Sequence, residues 1–174
     1  MKAYLILEDG TIFAGISIGS EQETVSEIVF NTSMTGYLEV FTDPSYAGQA
    51  VVMTYPLIGN YGVCLEDAEA KRPWLRGVIV RELSRIPSNF RSGETIQHFL
   101  KQHNIPGICN IDTRALTKML REKGTMNGMI TTKEYADVSE PISRIKAYQV
   151  RGTVMETTTK TAYTLGGAGK RVAL

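Results

Sequence analysis

The chain has 174 residues, 43% of them hydrophobic, enough to bury a core without a disulfide or metal staple and suited to one compact domain with a short appendage. Lys plus Arg number 19 and Asp plus Glu 18, a formal net charge of +1, so neither sign dominates and neither nucleic acid nor an anionic membrane is called for as a partner. Two cysteines far apart, Cys64 and Cys109, exclude a disulfide framework and a CxxC zinc site and suit a reducing, cytoplasmic setting.

The first residues, MKAYLILEDGTIF, contain an apolar run broken by Glu8 and Asp9. It is too short for a signal peptide or a membrane helix. Tyr4–Leu7 and Thr11–Gly15 flank Glu8-Asp9-Gly10 and predict a hairpin on an Asp-Gly turn. Further strands are predicted at Ile28-Val29-Phe30, at Gln49–Tyr55 stopped by Pro56, and at Val78-Ile79-Val80. Gly36 and Gly48 permit positive φ, and Asp43-Pro44-Ser45-Tyr46 has the composition of a type I turn with Pro second.

Two helices follow. For the first, Ser92 is the expected N-cap, with Glu94 in the first turn, Ile96, Phe99 and Leu100 as the apolar face and Asn104 as the stop. For the second, Asp112 is the expected cap, Leu116, Met119 and Leu120 the stripe, and Gly124 a left-handed stop. Gly107–Ile111 between them is a strand or an extended connection. A strand-rich first half followed by a helical pair predicts a mixed α/β domain with helices packed on sheet. After about Val154 the chain becomes Thr- and Gly-rich, a linker composition, and Arg171–Leu174 looks like the start of a further strand.

No constellation in the chain supplies an acid, a base and a nucleophile together. Cys109 in PGICN lacks the small residues of a nucleophile elbow and leads into a helix cap, so it is expected to be a buried structural thiol. His98 and His103 are five apart, not at the i, i+4 spacing of a helical metal pair, and no metal site is expected. YPLIGNYG matches neither GxGxxG nor GxxxxGK[ST]. Arg114, Lys118, Arg121 and Lys123 form a solvated face or a docking surface for another chain. Thr42–Gly62, rich in turn residues and tyrosine, remains either a binding loop without an engine or a tightly turned β region.

FNTSMTGYLEVFTDPSYAGQAVVMTYPLIGNYG closely resembles the signature region of the small (glutamine-dependent) chain of carbamoyl-phosphate synthetase. GVIVRELSRIPSNFRS and GICNIDTRALTKMLREKGTMNGMI resemble its downstream blocks in the same order. Leu38 stands where the family more often has Gln, and Phe41 where an aliphatic residue is more usual. The resemblance implies a β/β/α swivelling-type domain over residues 1–153. Residues 154–174 would then be a linker and the first residues of a glutamine amidotransferase domain that carries a Cys-His-Glu triad. It implies no catalytic residue in this chain and Ser45 as its one contact to L-glutamine. Asn31, Thr35, Gly36, Tyr37, Gly59 and Asn60 would set interface or loop geometry. It also implies a large-chain partner that uses ATP, bicarbonate and Mg2+ or K+ to make carbamoyl phosphate for arginine and pyrimidine synthesis, with no cofactor in this chain. The alternative is a free-standing protein-binding or regulatory module.

Overall fold

The computed structural model describes residues 1–170 and 172. The Asp-Gly hairpin forms: β1 (Lys2–Leu7) pairs antiparallel with β2 (Ile12–Ser17), Leu5 opposite Phe13. Gly10 takes φ 87°, and Asp9 Oδ1 accepts the Thr11 N–H at 2.9 Å, closing the turn. β3 (Thr24–Asn31) follows, then the short α1 (Tyr37–Thr42), a 3-10 turn at Pro44–Tyr46, β4 (Gln49–Met53) and β5 (Leu57–Ile58). A second 3-10 turn, Leu65–Asp67, leads to β6 (Gly77–Ile79), β7 (Glu82–Leu83), α2 (Ile96–Gln102) and β8 (Gly107–Cys109). α3 (Thr113–Lys123), β9 (Met126–Thr131), α4 (Ser139–Ala147) and α5 (Thr153–Thr157) complete the elements.

Seven of the strands close into a barrel in the order β1-β2-β8-β6-β4-β3-β9, and β5 pairs with β7 in a separate two-stranded parallel sheet. β3-β4, β4-β6 and β6-β8 are parallel, which requires crossovers, the first carrying α1, the second β5 and the Leu65–Asp67 turn, and the third β7 and α2; the other barrel pairs are antiparallel. The expected mixed α/β class, with a strand-rich first half, is therefore observed. β9 closes the ring by pairing with both β1 and β3.

The period-2 alternation of each strand sorts side chains between the interior and the outer faces. On β4, Ala50 and Val52 point into one apolar cluster, Val51 and Met53 into another. The first cluster draws on every barrel strand, including Leu5, Ile28, Ile79, Ile108, Ile130 and the half-buried Phe13, so it is the barrel interior; α3 adds Leu116 and Leu120 to it. Outside, α1 (Tyr37, Leu38, Phe41) and α2 (Ile96, Phe99, Leu100) pack over Val51, Met53, Val78 and Val80. On the opposite side Ile145 of α4 covers Ile6 and Met129. Each of these fully buried aliphatic or aromatic side chains contributes roughly 1.5–3 kcal/mol of transfer free energy.

Two local expectations are corrected. Ser92 is not the N-cap of α2; Thr95 is, its Oγ1 accepting the His98 N–H at 3.2 Å. An isolated bridge between Val63 and Glu94 holds this segment extended, through Val63 N–H to Glu94 O and Gly93 N–H to Val63 O, both 2.9 Å. Helical geometry cannot begin until that bridge ends, so Glu94 also lies outside the first turn. Gly124 has φ 90° but ψ −175°, not the left-handed helical pair, because the chain must run straight on into β9. Asp112 does cap α3, accepting the Ala115 N–H at 2.9 Å, and Asn104 ends the α2 segment in the left-handed region at φ 55°.

Residues 158–170 carry no helix or strand and are exposed. The strand start expected at Arg171–Leu174 lies outside the described residues, Val172 excepted. No helix among the described residues is long and apolar enough to cross a membrane.

Candidate functional site

Ser45 sits at the tip of the Pro44–Tyr46 turn, exposed. Its backbone is fixed: the Ser45 N–H donates to Asp43 Oδ1 at 2.8 Å and the Tyr46 N–H to Asp43 O at 3.1 Å. Pro44 presets φ at the turn's second position, as its composition predicts. The next residue is held from β3: Asn31 Nδ2 donates to the Tyr46 phenol oxygen at 3.0 Å. Asn31 is itself fixed, its carbonyl accepting from Thr54 N–H (3.1 Å) and its Oδ1 from Ser33 N–H (2.8 Å). Ser45 is exposed, and its hydroxyl can both donate and accept a hydrogen bond.

Gly36 and Tyr37 belong to a second arrangement. Gly36 precedes α1 at φ 80°, ψ 30°, a conformation that favours glycine. The Tyr61 phenol oxygen accepts both the Gly36 N–H (2.8 Å) and the Tyr37 N–H (3.2 Å). The Tyr37 hydroxyl donates to Gly62 O at 2.6 Å, and the two rings stack with centroids 4.1 Å apart. Burial, and then the neighbouring Tyr61, push the Tyr37 phenol above its ordinary range; burial does the same to Tyr61. Both phenols serve here as hydrogen-bonding groups. Gly59 accepts the Gly62 N–H at 3.1 Å, and Asn60 contributes its carbonyl, which accepts from Ser88 N–H (2.9 Å) and Ser88 Oγ (3.1 Å). Thr35 is exposed beside Gly36. The structure thus brings Asn31 to the Ser45 turn, and Gly36 and Tyr37 to the Gly59–Gly62 loop.

The residues that could have carried other chemistry are placed otherwise. Cys109 is buried in β8, and that burial raises its thiol above the usual range, away from thiolate. It lines the edge of an open cleft of about 800 Å³ with Ile16, Arg81, Arg85, Thr95 and Asn110; Ser45 does not line this cleft. His98 Nε2 lies 3.7 Å from Glu94 Oε2 and 2.7 Å from Gln102 Nε2, while the His103 ring packs on Phe99 at 4.7 Å. Among the described residues no group of three His, Cys, Asp or Glu side chains is placed to hold a metal ion. Of the basic residues on α3, Lys123 is not merely solvated: its Nζ reaches Asp9 Oδ2 at 2.7 Å and ties the helix end to the hairpin turn.

Sequence reasoning missed a polar hub at Glu23. Its carboxylate accepts from Tyr135 OH (2.6 Å), Thr131 Oγ1 (3.0 Å) and Arg144 Nη1 (2.8 Å). Its partners lie more than 100 residues away, so no local spacing signals it.

The fold is a mixed α/β barrel that displays a braced turn carrying Ser45 on its surface. The chain belongs to the carbamoyl-phosphate synthase small-chain family: residues 5–130 match the family model described as the carbamoyl-phosphate synthase small chain, CPSase domain. It is 49% identical over 174 residues to the carbamoyl phosphate synthase small chain of Oceanobacillus iheyensis, covering 99% of this chain and 47% of that one. Identity to the Clostridium perfringens small chain is also 49%, over 100% of this chain and 50% of that one. The pyrimidine-specific small chain of Bacillus subtilis is 45% identical over 175 residues, 100% of this chain and 48% of its own length. The chain spans about half the length of these curated relatives.

Proposed function

We propose that residues 1–153 form the N-terminal module of a glutamine-hydrolysing carbamoyl-phosphate synthase small chain, working in the cytoplasm. The module supplies one wall of the glutamine site and a surface for the large chain. The observation that carries this reading is the exposed Ser45 hydroxyl on a turn pinned by Asp43 and by the Asn31–Tyr46 bond. A hydroxyl can both donate to and accept from a bound amino acid and so orient it without activating it. The nucleophile that attacks the glutamine amide belongs to an amidotransferase domain following this module. The ammonia released passes to the large chain, which holds ATP and Mg2+ or K+ and combines ammonia with bicarbonate. This module holds no cofactor, and its Asn31, Thr35, Gly36, Tyr37, Gly59 and Asn60 keep the loops around Ser45 and the Gly59–Gly62 segment in shape.

The test is association and activity together. Tagged chain is mixed with purified large chain, beside a full-length small chain, and each is assayed for ammonia release from glutamine. The expected result is retention of the large chain with no ammonia release by the module alone. Ammonia release at an enzyme-like rate would overturn the division of labour, and failure to retain the large chain would favour a free-standing binding module.

A further inference from the structure

The chain returns to the Ser45 turn after leaving α4. Tyr148, which ends α4, donates its hydroxyl to Gly48 O at 2.8 Å, three residues beyond Ser45. From the other side, Asn127 Nδ2 of β9 donates to Tyr148 O at 3.1 Å, fixing the tyrosine backbone to the barrel wall. Two residues on, Val150 lies so close that a Cβ on Gly48 would stand 2.9 Å from Val150 Cγ1 and 3.5 Å from Thr153 Cγ2. Gly48 has φ 86°, a conformation that L side chains rarely adopt. The Tyr148 bond adds a further tie at the end of that turn by holding the Gly48 carbonyl. α4 is in turn anchored by the fully buried Ile145 against Ile6 and Met129.

We infer that Tyr148 is a positioning residue for Ser45, and that the strap Tyr148–Thr153 couples the outgoing chain to the glutamine-contacting turn. This inference rests on the reading of Ser45 given above. The phenol acts as a neutral donor, and no proton moves. Chain that leads away from the barrel and chain that touches substrate therefore share one hydrogen bond, so the placement of one is felt by the other.

The experiment uses full-length small chain assembled with its large chain, carrying Tyr148→Phe, Ser45→Ala, or both. Steady-state constants are measured with glutamine and separately with ammonia as nitrogen donor. Loss of one ordinary hydrogen bond corresponds to about three- to tenfold in an equilibrium. Tyr148→Phe is accordingly expected to raise the glutamine KM by that factor, with kcat and the ammonia-supported rate changed by less than about twofold. In the Ser45→Ala background the same change is expected to add nothing, because its effect runs through Ser45. Val150→Ala, which loosens the strap without touching the hydrogen bond, is expected to shift the glutamine KM in the same direction. A normal glutamine KM in Tyr148→Phe, an undiminished effect in the Ser45→Ala background, or an equal loss with ammonia would overturn the inference while leaving the Ser45 reading intact. A normal glutamine KM in Ser45→Ala would overturn both.

Discussion

Tyr61 and Tyr37 lock one another: the Tyr61 phenol oxygen accepts the Tyr37 backbone N–H at 3.2 Å while their rings stack at 4.1 Å. The same oxygen accepts the Gly36 N–H, and the Tyr37 hydroxyl closes the loop on Gly62 O. Two segments 25 residues apart in sequence are joined by three hydrogen bonds through two phenols.

Tyr61→Phe keeps the stacked ring and removes one oxygen that serves two backbone donors. Leaving partly buried donors unsatisfied costs about 1–3 kcal/mol. For a chain of this size thermal unfolding should fall by roughly 2–4 °C per kcal/mol. Tyr37→Phe should cost less, since it strands one acceptor, and the double variant should fall short of the sum. Strict additivity in calorimetry would show that the two phenols act independently.

Glu23 predicts a pH effect with a definite sign. Partial burial opposes its charge, but hydrogen bonds from Tyr135, Thr131 and Arg144, and the Arg144 charge, prevail and hold its carboxyl below the ordinary glutamate range. A group depressed in the folded state contributes stability above its unfolded pKa and loses it as pH falls through the folded value. Wild type should therefore exceed Glu23→Gln in thermal stability at neutral pH. The gap should narrow once pH drops below about 4.3, where an unperturbed glutamate titrates. A constant gap from neutral to acid pH would contradict this assignment.

At Gly19 the backbone of the next segment comes too near for any side chain. A Cβ there would lie 2.1 Å from Ile105 O, which also accepts the Ser20 N–H, and 3.0 Å from Gly107 N. Gly19→Ala should destabilise by about 3 kcal/mol, the upper range for overpacking. Gly166→Ala, with open space around the new methyl, should stay within about 0.5 kcal/mol. Chemical denaturation of the pair checks both, and equal midpoints would refute the close approach.

Cys64 and Cys109 are both buried. Thiol-specific labelling of the native chain should therefore be slow, with both cysteines reacting promptly in denaturant. Rapid modification of native Cys109 would place a reactive thiol where the structure places a core residue.

Much of the fold was readable from local chemistry. The Asp-Gly hairpin, the strand around Val29, the Asp43–Tyr46 turn and the Asp112 cap each depend on a few neighbouring residues, and each forms. Closure of the barrel depends instead on β9 finding β1 and β3 more than 90 residues earlier, information that no window of sequence holds. α1 was hidden because six residues give less than two helical turns, and its Tyr and Phe suit a strand as readily. The Ser92 cap failed for a related reason: a bridge to Val63 kept residue 94 extended. At the candidate site, the turn around Ser45 was visible, but its braces were not. Asn31–Tyr46, Tyr61–Gly36 and Tyr148–Gly48 are contacts of a side chain with a distant partner, and spacing along the chain does not encode them.

The central claim is that this module orients glutamine through Ser45 and leaves the chemistry to other domains. Steady-state kinetics of the assembled synthase carrying Ser45→Ala test it most directly, with glutamine and ammonia supplied in turn. The predicted result is a glutamine KM raised about tenfold, the worth of one hydrogen bond near the upper end of its range, with the ammonia-supported rate unchanged. An unaltered glutamine KM, or an equal loss with both nitrogen donors, would contradict it.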